Sequence, residues 1–462
     1  MDELREQLFF QPKNGYDRID TQERLALEKY CAGYMRFLDD ARTEREAVNL
    51  TIQMAEERGF VPYEPGMALE PGKKIYKNVR GKTIFLAVMG KKPMSDGAVI
   101  AGAHIDNPRL DLKQMPLYEA DEMAYFKTHY YGGIKKYQWV TIPLELHGVV
   151  VLKSGEVVNV TIGHEPDEPK FVITDLLPHL SKDQNQKTLA EGFTGEGLNL
   201  LVGSTPYAGE GKDRVKLAIL SMLNDDYGIT EEDFLSAELT ALPAFPTCEI
   251  GLDRSMIGGF GHDDRSCAYA QLAALFELDV PERTSVCILT DKEEIGSDGV
   301  TGMQSEAFDC FMEDLCASQS VGLRRCYEKS FCLSCDVSAA YDPLYSEAFE
   351  RRNASLVNYG VTIMKFTGVR GKGNSSDASA ELIAYVRRLF EREGVVWQLA
   401  ELGKVDQGGG GTIARFMSER NIDTIDAGVP VLSMHAPFEV VGKFDCYMTY
   451  KGILAAYRDS GM

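Results

Sequence analysis

Ser285-Val286-Cys287-Ile288-Leu289-Thr290-Asp291-Lys292-Glu293-Glu294-Ile295-Gly296-Ser297 runs an unbroken apolar stretch into two adjacent carboxylates and a Gly-Ser turn. Six residues of this character, bounded by a turn signal, predict a strand buried on both faces, as in a sheet covered by helices on either side. At a strand end successive side chains diverge, so one Glu can hold a metal while its neighbour accepts a proton from an activated water. Taken alone, the same pair also reads as a solvated acidic turn, because surface carboxylates are common.

Outward from this stretch, apolar runs alternate with helical periodicity. Thr83 to Met89 and Ala98 to Ala103 are strand-like, the second leading into His104-Ile105-Asp106-Asn107-Pro108, where proline ends the strand. Thr21 to Gly59 predicts two helices, with Leu25, Leu27, Tyr30, Tyr34, Met35 and Leu38 at three- and four-residue spacings in the first. Further on come a helical Cys267 to Leu278, strands from Phe331 to Asp336, Leu356 to Phe366 and Ile425 to Met434, and a helix from Ser376 to Glu393 closed by Gly394. This alternation predicts an α/β fold with a mixed sheet flanked by helices. Between Gln114 and Glu232 the texture turns β-rich, with a hairpin signal at Ser154-Gly155 inside Val149 to Ile162 and a polar, loop-like stretch from Ser181 to Thr205. The expected organisation is one discontinuous domain, 1–113 and 233–462, interrupted by an inserted domain at 114–232.

The 462 residues carry 49 Lys and Arg against 70 Asp and Glu, a formal charge of −21, with no basic block. That balance argues against a nucleic-acid or anionic-membrane partner. Met1 to Leu8 has no basic region followed by an apolar one, and no window reaches membrane-span length, so a cytoplasmic protein is expected. Ten cysteines, mostly inside apolar runs, predict reduced core residues, and Cys332-x-x-Cys335 lacks the second pair that a zinc ribbon needs. The Gly-rich Lys404 to Thr412 lacks the Gly-Lys-Ser/Thr ending of a phosphate loop.

Three apolar runs end in chemistry-bearing residues: His104, Glu293-Glu294 and Asp336. Ligands bind at the carboxyl ends of strands in α/β sheets, so these residues are expected to converge. Asp263-Asp264 precedes a helix, and His435 follows the run Val431-Leu432-Ser433-Met434. Two His, two Asp and one Glu form the donor set of a two-zinc site. Each has an ordinary structural reading too: hydrogen-bonded histidines, a helix cap at Asp263-Asp264, a turn residue at Asp336.

Together these five segments, in this order, resemble the M18 family of zinc aminopeptidases, the aspartyl aminopeptidase type, over nearly the whole chain. The resemblance implies a zinc-exopeptidase-like catalytic domain with an inserted dimerisation domain, and hydrolysis of the N-terminal residue from peptides. It implies two divalent ions per subunit, Zn2+ foremost: Asp263 bridging them, Glu294 and His435 on one, His104 and Asp336 on the other. Glu293 becomes the general base, and Asp106 orients His104. The bridging Asp in the wider clan precedes Asp or Asn across a cis bond, which makes Asp264 its partner; many members have Leu-Asp-Asn where this chain has His262-Asp263-Asp264-Arg265, and either Asp can be the bridge, Asp263 being taken here.

Leu177-Pro178-His179-Leu180 is similar to a family segment that reaches a neighbouring subunit's active site, so His179 is implied as an oxyanion stabiliser acting in trans, within a homo-oligomer, a dodecamer built from dimers. Family preference for N-terminal Asp or Glu points to Lys365 as a substrate-binding residue, although Gly368 to Asp377 departs from the family's Asn-Gln-Arg-Tyr pattern. The same metal chemistry also suits an N-acyl amino acid amidohydrolase, and the fold alone would suit a zinc-stabilised scaffold.

Overall fold

A computed structural model describes residues 2–461. The chain divides into two compact units, the first comprising the chain up to Asp106, Thr247–Met434 and everything from Glu439, the second Asn107–Pro246 with His435–Phe438. The second unit begins earlier and ends later than the 114–232 read from the change in texture. Its sheet explains why, since one strand starts at Arg109 and the strand Ala237–Pro243 pairs with both Arg109–Ala120 and Leu144–Val151.

A nine-stranded mixed sheet forms the centre of the first unit, in the order Val61–Pro62, Lys74–Val79, Thr83–Val88, Ser285–Thr290, Val99–His104, Phe331–Ser334, Asp423–Gly428, Val361–Met364, Trp397–Leu399. The four strands from Ser285–Thr290 to Asp423–Gly428 are mutually parallel. Their residues alternate between two cores, as a period of two requires. Val99, Ala101, Ala103, Cys287, Leu289, Phe331 and Leu333 enter one, while Ala98, Ile100, Val286, Ile288 and Cys332 enter the other. Both faces are therefore dry, which accounts for the unbroken apolar runs.

The helix Thr21–Asp40 is capped by Asp20, whose side chain accepts from Glu23 N at 2.9 Å, a contact worth about 1 kcal/mol. It buries Leu27, Tyr30, Tyr34, Phe37 and Leu38, but Leu25 faces solvent, since it lies off that stripe. The helix Glu44–Glu56 follows behind a reciprocal capping box between Thr43 and Glu46. A smaller five-stranded sheet joins Cys248–Ile250, Met256–Gly259, Glu439–Gly442, Pro430–Leu432 and Ser338–Ala339. All ten cysteines are free thiols, and Cys332 and Cys335 are buried.

The second unit is a six-stranded antiparallel sheet with the helix Arg214–Tyr227. The predicted hairpin is present as Leu144–Val151 paired with Val157–Ile162. Within the stretch read as loop, however, Asn199–Gly203 is a strand on Met123–Tyr131. Its apolar core is only Leu200-Leu201-Val202, too short to signal itself without the neighbouring strand it completes.

Candidate metal centre

The four parallel strands direct their carboxyl ends to one edge of the sheet. His104 is the last residue of its strand, in register with Thr290, and Asp336 lies two residues past Ser334. Glu293 and Glu294 sit beyond the strand, on the single 3-10 turn Glu293–Ile295, entered through Lys292 at φ +70° and left through Gly296 at φ +98°. A 3-10 turn spaces successive side chains about 120° apart, so this turn, rather than the strand pleat, separates the two carboxylates. Asp263 and Asp264 have non-helical backbone at the start of the helix His262–Phe276, and the bond between them is cis.

The donor atoms of His104, Asp263 and Glu294 lie within 4.8 Å of one another, as do those of His104, Glu293 and Asp336. His104 belongs to both groups, so the two overlap. Its Nδ1 donates to the Asp106 carbonyl at 2.9 Å, which leaves Nε2 facing Asp263 Oδ1 at 3.0 Å. Two lone pairs that close repel each other unless a proton or a cation lies between them. Around one tetrahedral zinc, donors about 2.1 Å from the ion are roughly 3.4 Å apart, so the spacing suits a metal. Asp263, and not Asp264, makes this contact.

The electrostatics also favour a cation. Burial opposes the charged form of His104, yet Asp106 and Asp263 outweigh it and hold its pKa well above the ordinary imidazole value. Asp336 is pushed well above the carboxylate range by burial first, then by Asp264, with Glu293 and Asp263 adding to the effect. Asp264 is pushed up in the same way, chiefly by burial. Such a set of buried carboxylates is stabilised by positive charge delivered among them.

Asp106 does more than the sequence reading expected. Besides its carbonyl contact, its Oδ1 lies 3.3 Å from His104 Nδ1, while Oδ1 accepts from Glu293 N at 3.1 Å and Oδ2 from Glu294 N at 3.2 Å. One buried carboxylate thus holds both the histidine and the turn that carries the two glutamates. Three further residues escaped the sequence reading. Glu439 accepts from Asp263 N at 3.1 Å, Arg265 donates to the carbonyls of Arg42 and Ile105 at 3.1 Å each, and Tyr34 hydroxyl bonds His262 Nδ1 at 2.6 Å. Only Arg265 carried a local signal, a charge inside the Asp263-Asp264 segment.

His435 follows the strand Pro430–Leu432, and the segment it opens packs with the second unit, where its Nδ1 donates to Gly133 O at 2.8 Å. In the neutral ring this places the lone pair on Nε2, the tautomer a metal ligand needs. His179 is exposed in the second unit, on a turn closed by Leu180 N to Leu177 O at 3.0 Å. Lys365 is not part of either donor group; it pairs with Asp377, which Lys372 also approaches at 3.3 Å.

Comparison with known proteins identifies the family of the chain. Residues 37–457 fit the family described as aminopeptidase I zinc metalloprotease (M18). A probable M18 family aminopeptidase 1 from Clostridium acetobutylicum is 46% identical over 452 residues, 96% of this chain and 97% of the relative. The crystal structure of aminopeptidase I from that organism superposes with a TM-score of 0.93 at 44% identity, covering 98% of this chain and 100% of the other. An M18 aminopeptidase crystal structure from Thermotoga maritima also has a TM-score of 0.93, at 42% identity over 97% of this chain and 99% of the other. A dodecamer structure from S. cerevisiae, at 19% identity and a TM-score of 0.74, shares the fold. The amidohydrolase and scaffold readings therefore give way to a hydrolase acting on peptides: this chain belongs to the M18 family of zinc metalloaminopeptidases.

Proposed function

We propose that this aminopeptidase works with two divalent ions, zinc foremost, held by Asp263 between them, by Glu294 and His435 on one side and by His104 and Asp336 on the other. The observation that supports this reading is that donor atoms of His104, Asp263 and Glu294, and those of His104, Asp336 and the base Glu293, gather within 4.8 Å of one another at the strand ends; His435 is in neither group and enters the ligand set on the family resemblance. Zinc held there supplies Lewis acidity, polarising the scissile carbonyl and acidifying water.

The chain's own residues do the rest. Glu293 takes a proton from the attacking water and passes it to the leaving amine. Asp106 fixes the height and rotation of both glutamates through their backbone N–H groups and holds His104 in the tautomer that presents Nε2. His179 stabilises the developing oxyanion of a neighbouring subunit. Its turn exposes Leu176, Leu177 and Leu180, an apolar surface suited to insertion into another copy of the chain. We accordingly read the second unit as the dimerisation domain and the assembly as a homo-oligomer, a dodecamer built from dimers.

A preference for acidic N-terminal residues rests on Lys365. Asp377 already neutralises it, so a substrate carboxylate must exchange with that partner, and the gain is small. No helix among the described residues is long and apolar enough to cross a membrane.

The test is a panel of short peptides differing in their first residue, assayed with zinc, cobalt and manganese alongside the Glu293→Gln protein. Glu293→Gln should lower kcat by about 10²- to 10⁴-fold while zinc content is unchanged. Activity retained in that variant would remove Glu293 from the mechanism.

A further inference from the structure

The second unit holds another His-carboxylate cluster, far in sequence from the residues above and formed within one hairpin. Glu145 and His147 are two residues apart on the strand Leu144–Val151, so both side chains leave the same face. The relative exposures of Glu145 and His147 are only 2% and 1%. The partner strand ends at Ile162, and Gly163 follows at φ +96°. Had the strand continued in register, His164 would lie opposite Leu144, on the other face; the left-handed turn at Gly163 brings it back toward Glu145. A Cβ at Gly163 would lie 3.2 Å from Glu145 Cα, so the glycine also admits the close approach.

The outcome is a three-donor set. His147 Nε2 lies 3.2 Å from Glu145 Oε1, His164 Nδ1 lies 3.5 Å from Glu145 Oε2, and all three donors fall within 4.8 Å of one another. The two histidine rings meet edge to face, with centroids 5.5 Å apart. Donors about 2.1 Å from a tetrahedral ion are separated by roughly 3.4 Å; the 3.2 and 3.5 Å contacts, made to different oxygens of Glu145, each lie close to that spacing. Two imidazoles and one carboxylate suit zinc and its first-row neighbours, whereas calcium and magnesium prefer all-oxygen shells.

The surroundings position these donors. The loop after Gly163 is tied by Glu168 Oε2, which accepts from Gly163 N at 3.0 Å and Glu165 N at 3.1 Å, and by Lys170 Nζ, which donates to the carbonyls of Gly163 and Glu165. His164 is therefore held on the exposed side of the cluster, while Glu145 and His147 are buried. The side chain of His164 is 35% exposed, which gives an ion a path in and leaves a coordination position for water.

We propose that Glu145, His147 and His164 bind one divalent transition-metal ion of zinc type, a site separate from the two-ion centre, which clips the loop Gly163–Lys170 to its hairpin. A small rotation of the half-exposed His164 ring completes the shell.

The test is equilibrium dialysis of the chelator-stripped, full-length chain against micromolar zinc, with bound metal measured by mass spectrometry, for wild type, His164→Ala and Glu145→Gln. Because all three proteins share the first unit's residues, the difference between them reads only this cluster, whatever the first unit holds. Both variants should bind one zinc fewer per chain than wild type, with peptidase activity within about twofold of wild type for His164→Ala and a smaller zinc-induced rise in Tm. Equal zinc content in wild type and His164→Ala would overturn the proposal and leave a hydrogen-bonded cluster only. Zinc retained by a folded Glu145→Gln would overturn it as well.

Discussion

The two His-carboxylate clusters are assembled over very different chain distances. His104 meets Asp263 across 159 positions of sequence and reaches Glu293, Glu294 and Asp336 because parallel strands end side by side. Glu145, His147 and His164 come together within a single hairpin and the turn after it. Convergence over long distances has to be maintained by the whole sheet, and it concentrates like charges that only a cation relieves. The hairpin cluster has a single carboxylate between two imidazoles, so it gathers no set of like charges. The difference suggests that the first site loses its function when one ligand is lost, whereas the second only adds local stability.

Asp263→Ala is the sharpest way to break the comparison. It removes the carboxylate facing His104 Nε2, and peptidase activity should fall to background with loss of the first unit's metal. The zinc held by Glu145, His147 and His164 should remain, and a variant that lost all its zinc would show that the two clusters are not independent.

Asp106→Asn should act next most strongly. It keeps the size of the side chain but weakens acceptance from Glu293 N and Glu294 N, and an outer partner of this kind is worth about 10- to 100-fold in metal affinity. A competition titration with a zinc chelator measures it; unchanged affinity would reduce Asp106 to a turn residue.

The pH response offers a milder test. Burial holds the His262 pKa down at about 3, and Tyr34 hydroxyl bonds its Nδ1. Between about 6.5 and 3 the unfolded chain takes up a proton that the folded chain refuses, so stability present at neutral pH is lost as pH falls through that window. His262→Gln should flatten the acid limb of a Tm-versus-pH curve, and an unchanged slope would assign that limb to other groups.

Lys365→Ala should have the smallest effect. Losing a half-exposed ion-pairing group costs about 1 kcal/mol or less, a few-fold rise in KM for peptides with an acidic first residue and none for apolar ones. Equal KM changes for both classes would discard Lys365 as a specificity residue.

Much of this was legible before the structure. The buried strands announced themselves through runs such as Ser285 to Thr290, since both of their faces are dry; His104, Glu293-Glu294 and Asp336 were visible as polar residues at the ends of such runs, and Asp263 as an acidic residue before a helix. The strand Asn199–Gly203 was not visible, because three apolar residues become a strand only beside Met123–Tyr131. Nor was the contribution of Glu439, whose contact with Asp263 N joins residues 176 positions apart with no local pattern at either end. The cluster at Glu145 was not visible either, because bringing His164 beside Glu145 and His147 depends on the reversal at Gly163.

By itself the sequence determined which elements exist and which chemistry is available, since burial periodicity and residue type are local properties. The tertiary structure alone decided which donors meet. Parallel strand order aligned the carboxyl ends, the 3-10 turn aimed Glu293 and Glu294 apart, and the Asp106 carboxylate tied that turn to His104. Such alignment is a property of packing over long separations, where the cost of closing the chain is met by the whole core rather than by any one motif.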